Sequence, residues 1–158
     1  MPSRAFQPWR KRDNGFSFIE LVVVLAILSV LAAIGLPALR QWVPNYQLKA
    51  ATQELYGNLQ KARMEAIKTN STVSTVFDTS TCTAANGGNY TFTNDESGER
   101  IAAVALSGGI CLTTGTISGF NSRGLPRSGA GGSAVLENDE ISRTQTITQT
   151  IAGNIRIK

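Results

Sequence analysis

"RDNGFSFIELVVVLAILSVLAAIGLPAL", residues 12–39, decides how the rest of the chain is read. From Leu21 to Leu39 the only polar side chain is Ser29. A helix over this stretch would be roughly 28 Å long at a rise of 1.5 Å per residue, close to the hydrocarbon thickness of a bilayer. A cleaved secretory signal would carry a shorter apolar region ending at a small-x-small site, whereas this run outlasts that pattern and flows into a further helical stretch. The basic residues Arg4, Arg10, Lys11 and Arg12 all precede it. The positive-inside rule therefore predicts a single span, N-terminus in the cytoplasm and the bulk of the chain outside. Glu20 is the anomaly. A carboxylate within such a span is unfavourable by roughly 2.5–3.5 kcal/mol at the centre and by less near an end. Two readings stay open for it: solvation at the headgroup level, or a partner.

The composition narrows the function classes. A chain of 158 residues holds one domain and an appendage. Of the formal charge of +4, the first fifteen residues contribute +3, so the basic character belongs to the leader and argues only weakly for a nucleic-acid partner. There is no histidine, which removes the usual general base, the commonest metal ligand and any Ser-His or Cys-His pair. Cys82 and Cys111 have no zinc or redox spacing. They read either as a disulfide, if that half lies outside the cytoplasm, or as two small buried thiols. A bridge closing a loop of about 30 residues would contribute on the order of 3 kcal/mol. No catalytic constellation, metal-ligand set or cofactor motif is present in the sequence, and an enzyme is not expected.

Beyond the span, Pro37 and Pro44 fall inside a continuing helical pattern, where each removes a backbone donor and is expected to bend or locally open the helix. Leu48, Ala51, Leu55, Leu59, Ala62 and Ala66 then recur at steps of three and four, one apolar stripe for packing on a core. Lys49, Glu54, Lys61, Glu65 and Lys68 lie elsewhere on that surface, and Arg63, Glu65 and Lys68 read as a solvated face with weak pairs. After Asn70 the period changes. Val73–Phe77, Tyr90–Thr93, Ile101–Leu106, Ile110–Leu112, Thr116–Phe120, Ala134–Glu137, Thr144–Ile151 and Asn154–Lys158 are short β-prone runs between Gly, Asn, Ser and Pro clusters. One long helix followed by antiparallel strands predicts an α+β fold in which a β-sheet head buries the second half of the helix. The Gly-rich segment 128–132 lacks the context of a phosphate loop and reads as an exposed turn.

Gly15-Phe16-Ser17-Phe18-Ile19-Glu20, behind a basic leader and ahead of the apolar run with Pro37, resembles the class III signal of type IV prepilins and pseudopilins, G|FxxxE. The resemblance implies that a prepilin peptidase cuts after Gly15 and methylates the new amine of Phe16. It also implies that Glu20 pairs with the Phe16 ammonium of a neighbouring subunit among other pilins or pseudopilins, where low dielectric penalises a lone charge and strengthens a paired one. The helix around Pro37 then becomes a flexible stalk. The layout implied is a leader over 1–15, a membrane and filament-core helix over 16–44, and a periplasmic α+β head over 45–158, held in the bacterial inner membrane before entering the filament.

Residues 59–70, "LQKARMEAIKTN", and the segment "FNSRGLPRSG", residues 120–129, are similar to segments of the FimT/GspH minor pilins and pseudopilins. Two branches follow from that family, a subunit for type II secretion or type IV pilus assembly and a DNA-binding minor pilin for natural transformation. The DNA-binding kind carries a C-terminal Gly-Arg-x-Arg motif. This chain ends Gly153-Asn154-Ile155-Arg156-Ile157-Lys158, so Asn154 replaces the first arginine and only Arg156 carries over, with Lys158 as a helper. With Arg123 and Arg127, the residues from Phe120 onward have a net charge of +2, a modest basic bias for phosphate contact. The non-catalytic assembly subunit is the reading the sequence favours. Which filament system it serves stays open.

Overall fold

The computed structural model describes residues 16–82 and 86–158; Gly15 and the basic leader lie outside the described residues. Helix α1 runs over Phe18–Lys68. Both Pro37 and Pro44 are helical, so neither opens a gap in the assignment, although the missing N–H of each leaves the carbonyl four residues earlier without its helical donor. The end of α1 follows from local chemistry. Asn70 takes the left-handed conformation at φ 52°. This lets the Ser71 N–H reach the Ala66 carbonyl at 3.1 Å and the Asn70 N–H reach Ile67 at 3.3 Å. That is a Schellman closure with asparagine in the position glycine usually takes, and Lys68 sits favourably in the last turn.

Two units divide between Ala38 and Leu39. In the first, Phe18–Gly35 has a mean hydropathy of 2.7 and none of it is buried; by length and composition it suffices to cross a membrane.

Among the described residues, the second unit contains eight strands. They are β1 (Val73–Asp78), β2 (Asn89–Asn94), β3 (Arg100–Ala105), β4 (Ile110–Gly115), β5 (Gly119–Phe120), β6 (Gly132–Asn138), β7 (Arg143–Gln149) and β8 (Ile155–Ile157). They form two four-stranded sheets, ordered β3-β2-β1-β5 and β4-β6-β7-β8, with every pairing antiparallel. The expected runs become strands nearly one for one, except that Thr116–Phe120 keeps only its last two residues as β5. Gly119 explains the break: its φ is +101°, and a Cβ there would come within 2.1 Å of the Val73 carbonyl oxygen. Only glycine allows that conformation and that approach.

A single core joins the helix to both sheets. Leu48, Leu55, Leu59, Ala62 and Ala66 of α1 are buried with Val73, Tyr90 and Phe92 of the first sheet and Ile110, Leu112, Ala134, Leu136, Ile147 and Ile155 of the second. Ala51 is only half-buried, and two polar residues complete the helix's inner face. The Thr52 hydroxyl donates to the Leu48 carbonyl at 2.7 Å, and the Asn58 amide donates to the Tyr90 hydroxyl at 3.1 Å, so neither is left unpaired. Connections between the sheets are tight. The Ser80 N–H donates to Leu112 at 3.0 Å and the Leu112 N–H to Gly87 at 2.8 Å. A disulfide joins Cys82, beyond β1, to Cys111 in β4, with Cα atoms 5.3 Å apart.

Tyr90 packs tilted on Phe92 with ring centroids 5.6 Å apart, and Phe77 lies 6.4 Å from both. Burial pushes the Tyr90 hydroxyl up to about 12, against a smaller lowering by the Asn58 hydrogen bond and a further rise from the Glu54 carboxylate. The unfolded chain releases this proton near its ordinary value of about 10. The native state then holds more protons than the unfolded state, and stability falls as pH rises through that window. Chemical denaturation should show the head losing on the order of 2 kcal/mol between about pH 10 and 12. Tyr90→Phe should flatten that loss.

Candidate processing and assembly site

At the start of α1, Ser17 lies just outside the helix, and its carbonyl accepts the N–H of Glu20 at 3.0 Å and of Leu21 at 3.2 Å. Glu20 therefore occupies the third helical position, in the Ser-x-x-Glu spacing of a capping box, where the helix dipole favours an acid. The Ser-x-x-Glu spacing, legible in the sequence, gives this carboxylate a local benefit beside its cost in lipid. Among the described residues Glu20 is exposed and makes no ion pair, and Phe16 and Phe18 are 80% and 81% exposed. The whole face from Phe16 to Ile34 thus presents bare aliphatic and aromatic surface. Among the described residues, nothing in that unit covers it.

A second constellation lies at the other end of the helix. Asn121 organises the turn after β5: its N–H donates to the Leu125 carbonyl at 2.9 Å, and its side-chain oxygen accepts from Arg123 at 3.0 Å and Leu125 at 3.1 Å. At the tip, Gly124 adopts φ +72° and seats against α1, where a Cβ would lie 2.7 Å from Ile67 Cδ1 and 3.1 Å from Arg63 Nε. Gly153, in the β7–β8 turn, rests on Gly124 in the same way, with Arg63 Nη2 3.4 Å from the place its Cβ would take. Arg63 is therefore half-buried against two turns, with a buried Nε that has no hydrogen-bond partner among the described residues. This corrects its assignment to a solvated face. Helix periodicity cannot show which distant turns come to rest on a given position. Lys68 and Glu65 do form the weak pair expected of that face, at 3.7 Å, between an exposed lysine and a half-buried glutamate.

The basic residues considered for DNA lie on two segments. Arg123 is exposed on the Asn121 turn, while Arg127 pairs with Asp95 at 3.1 Å. Arg156 is exposed in β8 opposite Thr148, and Lys158 closes that strand by exchanging backbone hydrogen bonds with Thr146 at 2.8 and 3.2 Å. Pro37 lies within α1.

An apolar helix of membrane length, with an acid in its first turn and an α+β head built on its second half, defines a pilin-like subunit. Residues 10–36 match the prokaryotic N-terminal methylation motif, and residues 51–153 match the family of type II transport protein GspH. The chain belongs to that family, the GspH/FimT minor pilins and pseudopilins. A stretch of 39 residues is 46% identical to the fimbrial protein EcpC of Eikenella corrodens, covering 25% of this chain and 26% of that one. The chain thus aligns with about a quarter of that relative's length. No solved structure matches the chain significantly.

Proposed function

We propose that this chain is a non-catalytic subunit of an inner-membrane filament, a type IV pilus or a type II secretion pseudopilus. A prepilin peptidase removes residues 1–15 by cutting after Gly15 and methylates the Phe16 amine. The helix over 16–44 anchors the subunit in the inner membrane, N-terminus cytoplasmic, and later enters the filament core among other pilins or pseudopilins. There Glu20 pairs with a neighbour's Phe16 ammonium and sets axial register, with Pro37 within the stalk. The head over 45–158 faces the periplasm and carries partner specificity.

The observation that carries this reading is the order of parts in one chain: methylation motif, uncovered apolar helix, GspH head. Intact-mass and N-terminal peptide measurements from peptidase-competent cells should show a chain beginning at methylated Phe16. A retained leader would overturn the processing step.

DNA binding through Arg156 and Lys158, with Arg123 and Arg127, is the competing reading. Asp95 already engages Arg127, and Asn154 stands where the first motif arginine would be, so few cations remain to release counterions together. A gel shift with the fragment from residue 45 should show no low-salt retardation of duplex DNA. Retardation that Arg156→Ala weakens would establish the competing role.

A further inference from the structure

Just past the apolar run, which ends at Leu39, two large aromatic side chains stand in the open. Trp42 is 64% exposed and Tyr46 63%, a costly arrangement if both rings were left permanently in water. Their rings stack with centroids 5.9 Å apart and planes inclined by 25°, the geometry an i, i+4 pair adopts on one helix face. Lys49, also exposed, continues the same face one turn on. The opposite side of this helical segment bears Pro44, Leu48, Thr52 and Leu55, all buried in the head. The aromatic face therefore points away from the chain's own core.

We propose that Trp42 and Tyr46, with Lys49, form an interfacial anchor seated in the phospholipid headgroup layer on the non-cytoplasmic side of the membrane. The inference rests on the membrane-span reading given under Proposed function. Two features of the face select a lipid interface as its occupant. Indole and phenol rings pair an apolar body with one polar atom, which matches the headgroup level better than either water or hydrocarbon. The cation beside them complements lipid phosphate, and the face follows directly, in sequence, on a run of membrane length. The anchor fixes how deep the helix rides before assembly. It thereby holds the subunit at one level for capture by a growing filament.

The chain contains two tryptophans, Trp9 and Trp42, so Trp9→Phe leaves Trp42 as the sole indole. The full-length Trp9→Phe chain would be reconstituted into phosphatidylethanolamine–phosphatidylglycerol vesicles and floated on a density gradient. Trp42 emission would then be read in vesicles brominated either near the headgroup or near the chain ends. The anchor predicts blue-shifted emission, quenched at least about twofold more strongly by the shallow bromines than by the deep ones. Vesicle-bound protein whose Trp42 emits as a solvated indole, insensitive to both lipids, would overturn the anchor while leaving the span intact. So would protection of Trp42 that appears only when other filament subunits are added, since the occupant would then be protein. Protein that fails to float with the vesicles would overturn the span reading itself, and the anchor with it.

Discussion

Glu20→Ala should insert into the membrane normally and fail to enter filaments. The two halves of this result have separate causes. In a bilayer, exchanging a carboxylate for a methyl group removes a cost of up to roughly 2.5–3.5 kcal/mol, so insertion should be no weaker than in the parent. Helix formation changes little, because the favourable effect of an acid in the first turn is only about 0.3–1 kcal/mol. In the filament proposed above, however, the substitution would strand a neighbour's Phe16 ammonium inside an apolar bundle. Removing one partner of a buried pair costs about 3–5 kcal/mol, a factor on the order of a hundred to several thousand in the assembly equilibrium. Membrane fractionation reads the first half and subunit content of sheared filaments the second. Glu20→Gln keeps the shape without the charge and should fail similarly. Normal incorporation of either variant would return Glu20 to a headgroup-solvated acid in the first turn of the helix.

Leu59→Ala should destabilise the head by about 3–4 kcal/mol, a large part of the 5–15 kcal/mol typical of a small domain. Leu59 is 0% exposed and belongs to the cluster in which α1 meets both sheets. Its loss removes apolar burial and leaves a cavity that two sheets tied by a disulfide and cross-sheet hydrogen bonds can only partly close. Met64→Ala, five residues on at 63% exposure, is the control, with an expected change within about 0.5 kcal/mol. Thermal melts of the fragment from residue 45 measure both. Equal effects would mean that the helix's inner face is misassigned.

Much of the fold was legible because its signals are local. The stripe from Leu48 to Ala66 marks the buried side of α1 through its spacing alone, and alternation marks strands such as β2, where Tyr90, Phe92 and Asn94 turn inward while their neighbours do not. Thr52 and Asn58 were not legible. Polar residues read as outward-facing until a partner is known, and that partner for Asn58 is Tyr90, thirty-two residues away. The same limit hid Arg63, whose surroundings are two glycine turns from the far end of the chain. Trp42 and Tyr46 carried a visible signal in their i, i+4 spacing, but only the burial of the opposite helix face shows that they look outward.

The sequence by itself determined the order of parts: a basic N-terminal stretch, a Gly-Phe junction with an acid four residues on, an apolar run of membrane length, an amphipathic helix and then short strands. Each is written in neighbouring residues through charge, hydropathy and period, so no distant contact is needed to read it. Only the tertiary structure decided that the strands divide into two sheets, with β4 leaving for the second and β5 returning to the first. It alone placed Gly124 and Gly153 against Arg63. Strand partners and turn docking depend on which surfaces fit together across long sequence separations, and packing complementarity leaves no periodic trace in the chain that carries it.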